Sequence, residues 1–165
     1  MKTLYSKIYD FLRNKYYWFA LIRILLGLFF VVASVGKILE PYQDFLYVIQ
    51  NYEVFPSFLE PVIAFFFPWI EFFLGLFLCV GLWLRPVMYA VLMMLGSFIL
   101  IVGQAIARQL PINYCGCMGG MFSTDIKEII RLDIGLFILL LIMVRYFDKF
   151  SSFSLDRYFF REKQS

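Results

Sequence analysis

The chain has 165 residues, 62% of them hydrophobic, and a mean hydropathy of +0.80, which excludes an ordinary soluble domain. It contains no histidine, so histidine-based catalytic triads and histidine metal sites are excluded outright. The net charge of +3 says little by itself, no nucleic-acid partner is expected, and the placement of the charges carries the information.

Residues 1–17 hold Lys2, Lys7, Arg13 and Lys15, with Leu4, Ile8, Phe11 and Leu12 at helical spacing. That pattern predicts an amphipathic helix on the cytoplasmic membrane surface. A cleaved signal peptide is the competing reading, but the apolar stretch that follows is too long for a signal core. The first span is predicted over 18–39, with Arg23 near its start and Lys37 near its end. A connector over 40–61 carries Glu40, Asp44, Glu53 and Glu60. Behind Pro41, the spacing of Phe45, Ile49 and Tyr52 predicts a short interfacial helix. Ser57-Phe58-Leu59-Glu60 fits a capping box that would start the second span, over 61–84, which contains Pro68 and Glu71. A tight turn at Trp83-Leu84-Arg85-Pro86 leads to a third span over 87–107, and a fourth covers 126–147. The tail, 148–165, mixes basic and aromatic residues as an interfacial segment would. The expected fold is therefore all-α: an integral membrane antiparallel four-helix bundle, residues 18–147, with short interfacial helices.

Lysines and arginines set the orientation. The N-terminal arm, Arg85, the end of the fourth span and the tail together hold ten, whereas the opposite side holds Lys37, Arg108, Lys127 and Arg131. This bias places both termini in the cytoplasm and the segment between the third and fourth spans outside, as in a bacterial inner membrane.

That outer segment contains Cys115-Gly116-Cys117-Met118-Gly119, the glycine-rich island between two apolar runs. Cysteines spaced i, i+2 can bridge only if the backbone turns, and Gly116 permits the turn. So short a loop gains only about 1–2 kcal/mol from closure, which points to a labile redox pair rather than a staple. A structural pair and a metal site are the alternatives; two thiols without histidine support a metal poorly. Lys37 and Arg108 are candidates for stabilising a thiolate, although lysines at helix ends more commonly snorkel. The third cysteine, Cys79, falls deep in the second span and reads as a small core residue.

Arg23, Glu71 and Asp133 fall inside predicted hydrocarbon, where an ionisable side chain needs a partner and marks a functional candidate. The expected arrangement is an Arg23–Glu71 ion pair, with Asp133 within reach of Lys37. Such a buried polar core either fixes helix register or anchors a polar ligand or relays protons. Gly27, Gly36, Gly75 and Gly81 are expected to be close-packing positions between helices.

In this order, Arg23-Ile24-Leu25-Leu26-Gly27, Lys37, Pro41, Pro68-Trp69-Ile70-Glu71, Gly75, Arg108, Cys115-Gly116-Cys117-Met118-Gly119, Arg131 and Asp133 resemble the methylamine-utilisation protein MauE and the DoxX-like group of four-helix membrane proteins. The resemblance spans about residues 18–147. Its relatives usually carry Cys-Gly-Cys-Phe-Gly, where Met118 stands here. The resemblance implies a part in making or maintaining disulfides outside the cytoplasm, beside a thioredoxin-like partner. DoxX-like relatives include a subunit linked to quinone reduction, which implies a quinone as an electron partner; no residue of this chain establishes one. The resulting expectation is a membrane thiol–disulfide oxidoreductase using Cys115 and Cys117. A non-catalytic membrane scaffold is the main alternative and a quinone-linked electron-transfer subunit a further one. A transporter subunit is weaker, because four spans without a repeat give little room for alternating access.

Overall fold

The structure, a computed structural model, describes residues 15–110 and 126–147. Among these it is all-helical: α1 Lys15–Leu39, α2 Tyr42–Asn51, α3 Glu60–Val80, α4 Leu84–Ala107 and α5 Ile126–Arg145. The predicted amphipathic arm before residue 15, the tail from 148 and the cysteine segment 111–125 lie outside the described residues.

Among the described residues, three helices are long and apolar enough to cross a membrane, over Trp18–Leu39, Glu60–Val80 and Leu84–Ala107. The fourth long helix, α5, has 20 residues and would extend about 30 Å, but it carries Glu128, Arg131 and Asp133 in its first half. α3 shows how these elements arise. Its buried residues are Glu60, Ala64, Pro68, Glu71, Gly75 and Leu78, steps of three and four that form one stripe. The opposite face exposes Phe65, Phe66, Trp69, Ile70 and Phe73. A helix whose outer face is this apolar belongs in lipid rather than water, with its two glutamates turned inward. Pro68 sits on the inner stripe, where its missing N–H leaves the Ala64 carbonyl without the usual helical donor.

Two glycines let α1 and α3 approach closely. A Cβ added to Gly27 would lie 2.7 Å from the Gly75 carbonyl oxygen, and one added to Gly75 would lie 2.9 Å from that of Gly27. The backbones of α1 and α3 therefore touch, as small residues allow between membrane helices. The Cys79 thiol, 3.5 Å from the Ile24 carbonyl, faces the same seam. Ile24 is thus level with Cys79, while Val31 is level with Gly75, so the two helices run antiparallel.

The turn after α3 falls at residues 81–83, three residues earlier than the expected turn ends, and Leu84–Pro86 already belong to α4. Gly81 takes φ 75°, and the N–H groups of Gly81 and Leu82 both donate to the Phe77 carbonyl. Gly81 is therefore a helix-terminating residue in the left-handed region rather than a packing glycine. At the start of α3 the expected capping box is not formed. Leu59 occupies the cap without a side-chain hydrogen bond, Glu60 turns inward, and Pro61 in the first turn presets the helical dihedral.

α2 follows Pro41 as predicted and buries Phe45 and Ile49, with Tyr52 just beyond it also buried. Phe45 and Ile49 pack on Ala64 and Phe67 of α3, whereas Tyr52 joins Val102, Ala105 and Ile129 from α4 and α5. Further along, Met88, Val91 and Leu95 share a core with Leu140 and Met143, so α4 and α5 are also antiparallel. The Arg85 guanidinium lies 4.7 Å over the Phe147 ring, joining the start of α4 to the residues just past α5. The bundle thus has two ends. One holds the α3–α4 turn and the end of α5; the other holds α2, the end of α4 and the start of α5.

Candidate functional site

Near the α2 end, inside the four long helices, lies a buried polar cluster. Ser34, Lys37, Glu71 and Asp133 are 0%, 3%, 3% and 7% exposed, respectively. Helical spacing delivers each of them: Lys37 lies on the inner stripe of α1 with Phe30, Ala33 and Ser34, and Glu71 on that of α3. Lys37 Nζ donates to Glu71 Oε2 at 2.5 Å, with both side chains essentially removed from solvent. The same ammonium stands 5.6 Å, 5.7 Å and 6.0 Å from the ring centres of Phe98, Phe45 and Phe67. Aromatic faces attract a cation, so the three rings replace part of the water the ammonium has lost. Ser34 satisfies itself locally, its hydroxyl donating to the Val31 carbonyl at 2.8 Å.

This pairing corrects the expected Arg23–Glu71 bridge. With Ile24 level with Cys79, Arg23 is level with about residue 80, roughly 13 Å along α3 from Glu71. Val31 is level with Gly75, which brings Lys37 level with about residue 69, only about 3 Å along the axis from the glutamate. Arg23 is nonetheless 1% exposed, buried toward the other end of the bundle. The predicted polar core is therefore real in its burial but divided in space.

Asp133 reaches the cluster from α5. Together with Glu71 it lines a cavity of about 20 Å³ whose other walls include Phe30, Ala33, Leu95 and Phe98. Asp133 Oδ2 is buried without a hydrogen-bond partner among the described residues. Tyr52 stands at the edge of this region. Burial pushes its hydroxyl up to about 12, and the Asp133 carboxylate adds to the effect when ionised. Tyr52 consequently keeps its proton at any physiological pH. The sequence marks it only as the third member of the Phe45, Ile49, Tyr52 spacing.

Arg108, the other candidate cation, is exposed at the end of α4. Its Nη2 lies 2.9 Å from Glu53 Oε2, which ties the α2–α3 connector to the end of α4. Both partners are well solvated, so the bridge contributes at most about 1 kcal/mol. Cys115, Gly116, Cys117 and Gly119 lie outside the described residues. The residues that bracket their segment, Leu110 and Ile126, both belong to the α2 end, where Leu110 packs with Tyr52 and Val102.

A family model described as "Methylamine utilisation protein MauE" matches residues 15–147. The chain belongs to the MauE family. The match takes in all five described helices, the buried cluster and the cysteine segment. Neither the curated proteins nor the solved structures contain a match to the chain. As a MauE family member with three apolar helices of spanning length, it is a multi-pass membrane protein.

Proposed function

We propose that this MauE family protein is a membrane thiol–disulfide redox protein. Cys115 and Cys117 act at the outer face of a bacterial inner membrane, with both termini in the cytoplasm. A thiolate of the pair attacks a disulfide sulfur of an exported thioredoxin-like protein, forming a mixed disulfide and releasing the partner's other sulfur as a thiolate. The second cysteine of the pair then attacks the mixed disulfide and displaces the partner's remaining sulfur. Two electrons pass to the partner, which becomes a dithiol, and the loop becomes a disulfide; the reverse sequence reduces the loop. The observation that carries this reading is that both residues bracketing the segment belong to one end of the bundle, the α2 end. The Lys and Arg bias assigns that end to the outside, where disulfides persist. Arg108 is the cation nearest in sequence to the pair on that side, whereas Lys37 is held inward by Glu71.

Trapping tests the proposal. Cys117→Ser or Cys115→Ser should accumulate a mixed disulfide with an exported protein, visible as a band removed by reductant. If neither variant traps a partner and the double serine variant loses function, the protein is a scaffold. If the double serine variant keeps full function, the redox reading is wrong.

A further inference from the structure

We propose that the pocket between Glu71 and Asp133 binds a single proton, carried on Asp133, and that Lys37 sets the number at one. The site is built independently of the cysteines. Asp133 is 7% exposed, faces a cavity shared with Glu71, and leaves Oδ2 with no hydrogen-bond partner among the described residues. A buried acceptor without a donor is strongly disfavoured, and more so when it is charged. A proton on the carboxyl group removes the buried charge and turns that oxygen into an O–H that can donate into the cavity. A cavity of about 20 Å³ also has room for one water, which would meet polar groups on two sides.

The count of charges fixes how many protons are needed. From α1 the cluster receives Lys37, from α3 Glu71, and from the end of α2 Tyr52, whose hydroxyl stays neutral. α4 contributes the apolar Leu95 and Phe98 to this wall, and Arg108 at its end is exposed and bound to Glu53. On α5, Glu128 and Arg131 pair with each other at the surface. One ammonium therefore faces two carboxyl groups. With both ionised this cluster would hold a net negative charge among phenylalanine and leucine; one added proton makes it neutral. A divalent cation would overshoot, and two carboxylates fall short of the six to eight oxygens that calcium takes. A proton fits both the charge and the space.

Infrared difference spectroscopy of the full-length protein in lipid bilayers at neutral pH reads protonated carboxyl groups directly. The wild type should show one buried carboxylic-acid carbonyl band, shifted in deuterated water and moved by ¹³C-aspartate labelling. Asp133→Asn should abolish it. Glu71→Gln should abolish it as well, because Asp133 then ionises against Lys37. Lys37→Met should raise the count to two. The proposal is overturned if the wild type shows no such band, if the band survives Asp133→Asn, if it responds to ¹³C-glutamate instead, or if Lys37→Met still shows one. The isotope arms use the unsubstituted protein and so decide the matter even where a variant fails to fold.

Discussion

Lys37→Met removes the one ammonium from the cluster and leaves two carboxyl groups facing one another in an apolar interior. The geometry sets the magnitude. The ion pair is 2.5 Å long with side chains 0% and 4% exposed, so neither water nor salt screens it. Breaking such a pair from one side costs about 3–5 kcal/mol. Loss of the ammonium's contacts with three aromatic rings adds to that, at about 0.5–2 kcal/mol for a cation over a ring. Protonation of the stranded glutamate returns part of the loss, so a net destabilisation of about 3 kcal/mol is expected. Adding Glu71→Gln removes the stranded acid, and the double variant should recover most of the stability. The assay is a double-mutant cycle on reversible unfolding in mixed micelles. A coupling of about 2 kcal/mol or more is expected between the two positions. Additive effects, or a Lys37→Met cost below about 1 kcal/mol, would refute the buried ion pair between Lys37 and Glu71.

The glycine seam predicts an asymmetric response to alanine. Gly27→Ala places a methyl 2.5 Å from Cys79 Sγ and 2.7 Å from the Gly75 carbonyl, and should lower stability by about 1–3 kcal/mol. Cys79→Ala should not rescue it, because the carbonyl is still in the way. Gly103→Ala and Gly135→Ala meet nothing within 4 Å and should be neutral or slightly stabilising in the same unfolding assay. Tyr52 supplies the pH test. Its folded-state value of about 12 lies above the unfolded value near 10, so the stability it contributes is intact below pH 10 and is lost as pH rises toward 12. Tyrosinate absorbance should show a late-titrating tyrosine that Tyr52→Phe removes; an unchanged late phase would contradict its burial against α4 and α5.

Most of the architecture is legible in the sequence, for a simple reason: spans are long, apolar and punctuated. The first predicted span, 18–39, coincides with the apolar stretch of α1, and Pro41 with the Phe45, Ile49, Tyr52 spacing marks α2. Burial of Arg23, Glu71 and Asp133 is legible as well, because a charge inside hydrocarbon must turn inward. Their pairing is not. Depth counted from span ends ignores the stagger between α1 and α3, which is set by Gly27 seating against Gly75 and Cys79. That stagger carries Arg23 away from Glu71 and brings Lys37 to it. The start of α3 misleads in a similar way: Ser57 and Glu60 have capping spacing, yet Glu60 turns inward and Pro61 in the first turn suffices to begin the helix. The cavity beside Asp133 draws its walls from four helices, so no local pattern announces it.

The redox reading meets its most direct test in intact cells treated with a membrane-impermeant maleimide, with and without prior reduction. The account predicts that reduction adds labels on Cys115 and Cys117, that the double serine variant loses them, and that Cys79, within the α1–α3 seam, stays unlabelled. Labelling of these cysteines only after the membrane is opened would put the loop in the cytoplasm and contradict the account.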